Sequence, residues 1–102
     1  MSDLPLKIKL HPFAELDLSE AAVWYDKQKA GLGYEFLVEF DELKELLVSF
    51  PRIFQFIEPG IRRAILNRFP YIVIYKVYDD HIFIIAIMHG ARHPDHWKSR
   101  TF

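Results

Sequence analysis

The 102-residue chain contains no cysteine. That excludes a disulfide framework and a thiolate metal site. An uncharged apolar run long enough to cross a bilayer is also missing. Tyr71–Met88 comes closest, but Lys76, Asp79, Asp80 and His81 sit in its middle. Net charge is nearly absent, at −1. That argues against a general nucleic-acid binder, which is usually basic throughout. There is no internal repeat and no low-complexity stretch. Met1–Leu10 is short, carries Lys7 and Lys9, and does not read as a signal peptide. What is present is hydrophobic substance: 51% of residues, ample for one core and incompatible with disorder. Length predicts a single domain over residues 1–102, soluble and cytoplasmic, with no membrane association.

The near-zero charge hides an asymmetry. Residues 1–60 hold six Lys/Arg against eleven Asp/Glu, and residues 61–102 hold seven against three. Four of the five histidines lie in the second part. This fits either two ordinary solvated faces of opposite sign or a basic working face backed by acidic helices.

Periodicity gives the elements. Leu6–Leu10 alternates with period two and predicts a half-buried strand. His11-Pro12 ends it and opens a helix to about Lys29, with Ala14, Leu18, Ala21 and Tyr25 on one stripe and Trp24 widening it. Gly31-Leu32-Gly33 breaks that helix and begins a second, on which Phe36, Phe40, Leu43, Leu47 and Phe50 recur at helical spacing until Pro51. So short a joint predicts an antiparallel helical hairpin. Arg52–Gly60 reads as a loop anchored by Phe54, Phe56 and Ile57, and Ile61–Leu66 as a short strand. Tyr71–Tyr78 and His81–His89 read as two strands joined at Asp79-Asp80.

The expected fold is therefore α+β, in the order strand-helix-helix-strand-strand-strand. The last three strands form an antiparallel meander, and the helical hairpin covers one face. One layer of helices leaves the other face uncovered, yet the last two strands are apolar on both. Ile72 and Ile74 oppose Tyr71, Val73, Tyr75 and Val77, while Ile82 and Ile84 oppose Phe83, Ile85 and Ile87. Either that face is an interface, or the terminal segment or the long loop folds over it.

Three stretches carry a family resemblance. The first runs from Leu16-Asp17-Leu18 through Glu20, Ala21, Trp24, Tyr25 and Gln28 to Gly31-Leu32-Gly33 and Phe36. The second is Ile61-Arg62-Arg63 followed by Phe69-Pro70-Tyr71 and Tyr75. The third is Ile85, Ile87, His89, Arg92, Pro94, Trp97 and Arg100. Together they resemble the RelE/ParE toxin superfamily, and the third resembles its ParE-like branch, over nearly the whole chain. The resemblance implies a bacterial type II toxin of the plasmid-stabilisation kind, encoded beside an antitoxin that wraps and blocks it. A heterotetramer or larger toxin–antitoxin assembly is compatible with that pairing. It also implies one of two targets: DNA gyrase, inhibited by binding alone, or ribosome-bound mRNA, cut as RelE-like endoribonucleases cut it.

Each target selects candidate residues. In the gyrase- or antitoxin-binding reading, Arg62, Arg63, Arg68, Arg92, Trp97 and Arg100 are recognition residues, since Trp and Arg are favoured interface anchors. In the nuclease reading, Arg63, His89, Arg92 and His93 supply charge and proton transfer, with His96 as another carrier. Against the nuclease, the tail has no Tyr where many RelE-like enzymes have one. Structural roles compete throughout: Trp97 packing on the sheet, and Arg63 or Arg92 paired with Asp95 or Asp17. No metal or cofactor is expected. Pro94 interrupts any helix that would align His89, His93 and His96, and no Asp, Glu or Cys set accompanies them at zinc-site spacing.

Overall fold

A computed structural model of the chain describes residues 6–102. The elements run β1 (Lys7–Leu10), α1 (Pro12–Gln28), α2 (Leu32–Ser49), β2 (Phe56–Glu58), β3 (Ile61–Ile65), β4 (Tyr71–Val77) and β5 (His81–His89). They build an α+β fold in which the helical hairpin packs on one face of a five-stranded mixed sheet.

Local chemistry fixes the hairpin. The Phe13 N–H donates to His11 Nδ1 at 3.0 Å, and Pro12 follows in the first turn, so α1 starts with one amide capped and one absent. Gly31, at φ +89°, turns the chain into α2. Asp26, still on α1, accepts from the Gly31 and Gly33 amides at 2.9 and 3.4 Å, so one helix caps the next. Gly33 sits where any Cβ would run into the Ala22 carbonyl; the helices approach too closely for a side chain. From α2, Phe36, Phe40, Leu43 and Leu47 then bury against Tyr25, Phe69, Val73, Tyr75, Ile82 and Ile84. Burying each such large side chain stabilises by about 1.5–3 kcal/mol.

The strand order is β1-β5-β4-β3-β2. The expected meander is its centre, and β1 lies parallel to β5 at one edge. Two details differ from expectation. The segment read as a loop contains β2, because Gly60, at φ +79°, reverses the chain and lays Phe56–Glu58 against β3. Phe56 and Ile57 are consequently exposed, and only Phe54 is half-buried, against Tyr75. The other difference is a bulge opposite Ile74/Tyr75, where Ile85 is the extra residue. It shifts the alternation by one, so Ile87 joins Ile82 and Ile84 on the helix side rather than Phe83 and Ile85.

Part of the uncovered face is closed by the chain's own tail. After β5 a series of tight turns brings Trp97, only 3% exposed, onto Ile61, Ile74, Ile85, Ala86 and Met88. The reason lies at the end of β1. Its register stops at Leu10 opposite Ile84, so from Ile85 onward the side of β5 away from β4 has no strand among the described residues. Asp17 of α1 and Arg100 of the tail take that place. Arg100 Nη1 donates to the Ile85 carbonyl at 2.8 Å, and the Ile87 N–H donates to Asp17 Oδ2 at 3.0 Å. Between them runs a bidentate ion pair at 2.6 and 3.0 Å.

Candidate functional site

At the end of β5 the two cores meet a cleft of about 210 Å³ between α1 and the tail. Glu20 and Trp24 line it from α1, Tyr71 from β4, His89 from β5, and Arg92 and His96 from the tail. The Tyr71 and His89 rings meet edge to face at 5.4 Å. Trp24 is 55% exposed at the rim. His89 Nδ1 accepts the Ala91 N–H at 3.0 Å. The tail backbone is held by the Arg92 N–H donating to the His89 carbonyl at 2.9 Å, while the Arg92 guanidinium makes no ion pair among the described residues.

Burial raises the Tyr71 pKa; the Arg92 charge opposes this and the Asp17 charge adds to it. Its phenol is therefore a hydrogen-bond donor in the neutral range, not a base. Burial lowers the His96 pKa, with the Arg92 and Arg100 charges acting in the same direction. His96 is therefore neutral at pH 7. The cleft offers a guanidinium, the Glu20 carboxylate, two imidazoles, a phenol and an indole, residue types that suit recognition of a protein partner.

The structure sorts the residues singled out in the sequence. His89 and Arg92 converge in the cleft. His93 points away on the exposed tail, its Nδ1 accepting the Asp95 N–H at 3.1 Å. Arg63 lies half-buried on the opposite face of the sheet, paired in register with Ile74. Arg62 is a staple: its Nη1 donates to the Arg52 and Phe54 carbonyls at 2.9 and 2.7 Å, and its guanidinium lies 3.8 Å from the Phe56 ring centre. Arg68 pairs with Glu35 at 3.2 Å, and its backbone amide is capped by Glu39. Trp97 and Arg100 are not exposed recognition residues; one fills the second core and the other is spent on Asp17. Asp95 pairs with Lys98, leaving neither expected carboxylate for Arg63 or Arg92. Among the described residues no three His, Asp or Glu side chains converge to hold a metal.

Trp24 and Tyr71 are the cleft residues that sequence reasoning missed. Tyr71 reads as one more strand aromatic. Trp24 lies one position off the Ala21–Tyr25 stripe, and that offset is the signal of its exposure.

A second feature flanks α2. A groove of about 370 Å³ runs between α2 and the free part of the β3 edge, lined by Glu39, Glu42, Leu46, Phe54 and Ile65. The Leu66 N–H donates to the Tyr71 carbonyl, so alternate residues of β3 face β4 and the others face outward. The Arg63 N–H is taken by the Gln55 carbonyl at 3.1 Å, but beyond it β2 has ended. Ile65 therefore stands at an open strand edge, 57% exposed.

The chain thus forms a mixed five-stranded sheet with a helical hairpin on one face and a tail on the other. The family described as "ParE toxin of type II toxin-antitoxin system, parDE" matches residues 8–94, and the chain belongs to it. Among solved structures it is similar to "Chromosomal ParDE TA system from P. aeruginosa", with a TM-score of 0.62 and 19% identity over 82% of this chain and 95% of that one. At that identity the likeness shows the fold. No curated protein matches significantly.

Proposed function

We propose that this ParE-family chain arrests growth by binding DNA gyrase through the cleft around Arg92, and that a cognate antitoxin neutralises it by lying in the groove between α2 and β3. One observation carries the choice of binding over RNA cleavage. The residues a nuclease would need are not gathered: Arg63 faces away from the helices on β3, whereas His89 and Arg92 line a cleft at the far end of β5 on the helix side.

The antitoxin reading rests on the groove. The tail covers the outer sheet face around Ile61, Ile74, Ile85 and Met88, whereas Leu46, Phe54 and Ile65 leave apolar surface along the groove. An extended segment could add to the β3 edge at Ile65 and place apolar side chains against Leu46 and Phe54. Glu39 and Glu42 along the rim favour Lys or Arg in that segment. This reading places the action in the cytoplasm, where gyrase works, and makes the module one that stabilises the replicon carrying it.

The test is a supercoiling assay with purified gyrase beside primer extension on translated message. Inhibited supercoiling with intact message is expected, and Arg92→Ala should abolish the inhibition. Untouched gyrase together with cut message overturns the proposal.

A further inference from the structure

We propose that the sheet face turned away from the helices binds single-stranded RNA at its β1–β5–β4 end. Strand alternation collects the necessary groups there. On β1, Ile8 and Leu10 join the core while Lys7 and Lys9 are exposed on the other side. Register places Lys9 beside Phe83 and Phe83 beside Lys76, and Lys7 beside His81. One ring is thus bracketed by two ammonium groups, on strands about 10 Å apart at the usual strand spacing.

The aromatic surface continues past that row. Tyr78 and His81 stack at 4.6 Å with planes 8° apart, His81 meets Phe83 at 6.4 Å, and Phe83 faces Phe102 at 6.5 Å. The Lys76 ammonium lies 5.0 Å from the Tyr78 ring centre. Half-exposed rings with interleaved cations are the chemistry of a stacking platform: bases lie on the rings and phosphates meet the lysines. A duplex cannot use such a surface, because its bases are already stacked on one another.

The net charge of −1 does not oppose this. The two helices carry nine carboxylates and two lysines, whereas the strands present Lys7, Lys9, Arg63 and Lys76 on the face turned away from them. The charge is divided by layer, and a polyanion approaching from the sheet side meets cations. Asp80, its carboxylate held 2.7 Å from His81 Nδ1, stands at the end of the platform. A carboxylate repels phosphate but accepts from a ribose 2′-hydroxyl, which selects RNA over DNA. No cleavage step is assigned to this face.

The experiment is fluorescence anisotropy of a labelled 12-nucleotide oligoadenylate titrated with the purified full chain at several salt concentrations. Saturable binding is expected. Phe83→Leu should weaken it about tenfold, since loss of one stacked base is worth that much. Because Phe83→Leu also touches the second core, its folding is checked by circular dichroism, and a second variant outside that core stands beside it. Lys9→Gln with Lys76→Gln should weaken binding at least tenfold and lower the slope of log K against log salt by about 1.4, roughly 0.7 per lost phosphate contact. The matching deoxyoligonucleotide should bind several-fold more weakly, and Asp80→Ala should close that gap.

Absence of binding at low salt, or binding indifferent to the lysine pair, overturns the proposal. So does equal binding of a 12-base-pair duplex or of oligoglutamate, since bare charge would then account for it. Equal affinity for the deoxyoligonucleotide overturns the assignment to RNA.

Discussion

The two faces of the sheet are closed by unequal covers. The helix face is covered by two long helices, the first capping the second through Asp26, that touch backbone to backbone at Gly33. Its core is the larger one, built on Phe36, Phe40, Leu47, Val73 and Tyr75. The opposite face is covered by a tail of turns whose attachment rests on Trp97 and on the Arg100–Asp17 pair. The first cover is integral to the fold; the second is a lid with few fixing points. The two sites proposed for protein partners lie at breaks in this arrangement: the cleft where the tail leaves β5, and the groove beside α2 where β2 stops pairing with β3.

The largest expected effect belongs to the integral cover. Phe36→Ala should lower stability by about 3–5 kcal/mol in chemical denaturation, because a fully buried ring is deleted between elements that cannot collapse onto the gap. A cost below 1 kcal/mol would deny the helix face its primacy.

Breaking the lid's ion pair should come next. Asp17→Ala leaves Arg100, whose side chain is 8% exposed, without its counter-charge and removes the acceptor of the Ile87 N–H. The expected loss is about 3 kcal/mol. Hydrogen exchange makes the prediction sharper. Trp97→Ala should speed exchange of the Ile87 and Met88 amides while amides of α2 keep their protection. Equal acceleration in both places would show that the lid and the helical cover unfold as one unit.

Arg92→Ala should change stability by less than about 0.5 kcal/mol, since the guanidinium is exposed and unpaired, while abolishing growth arrest.

The smallest effect is on pH. The His96 pKa is lowered in the fold, first by burial and then by Arg92 and Arg100. The unfolded chain therefore binds more protons between the two values, and stability rises with pH across that interval. This contribution is complete above the ordinary His value of about 6.5 and is lost as pH falls through the lowered one. Replacing His96 with Gln should flatten that part of the stability–pH curve; an unchanged curve would assign the slope to other groups.

The sequence made some of this legible and hid the rest for physical reasons. The 3–4 spacing from Phe36 to Leu47 announced α2 and its buried stripe, and the Asp79-Asp80 turn announced the β4–β5 hairpin. No period reports which strand lies beside β1, because a parallel neighbour is chosen by a crossover through both helices. Phe56–Glu58 was too short to read as a strand. The bulge at Ile85 left no trace in a run where every neighbour is apolar. In the candidate site, the residues from His89 to Arg100 were visible as a cluster, but their roles were not. Trp97 and Arg100 are structural because of partners as distant in sequence as Asp17 and Ile61. Arg92 stays available because the carboxylates expected for it pair elsewhere.

The central claim is that target and antitoxin engage different surfaces of one toxin. The most direct measurement is growth of cells expressing each variant with and without the antitoxin. Leu46→Glu with Ile65→Glu should still arrest growth and should no longer be rescued. Arg92→Ala should not arrest growth, yet should still bind the antitoxin in the same cells. Rescue of the groove variant as complete as that of the wild type, or loss of antitoxin binding by Arg92→Ala, would contradict the account.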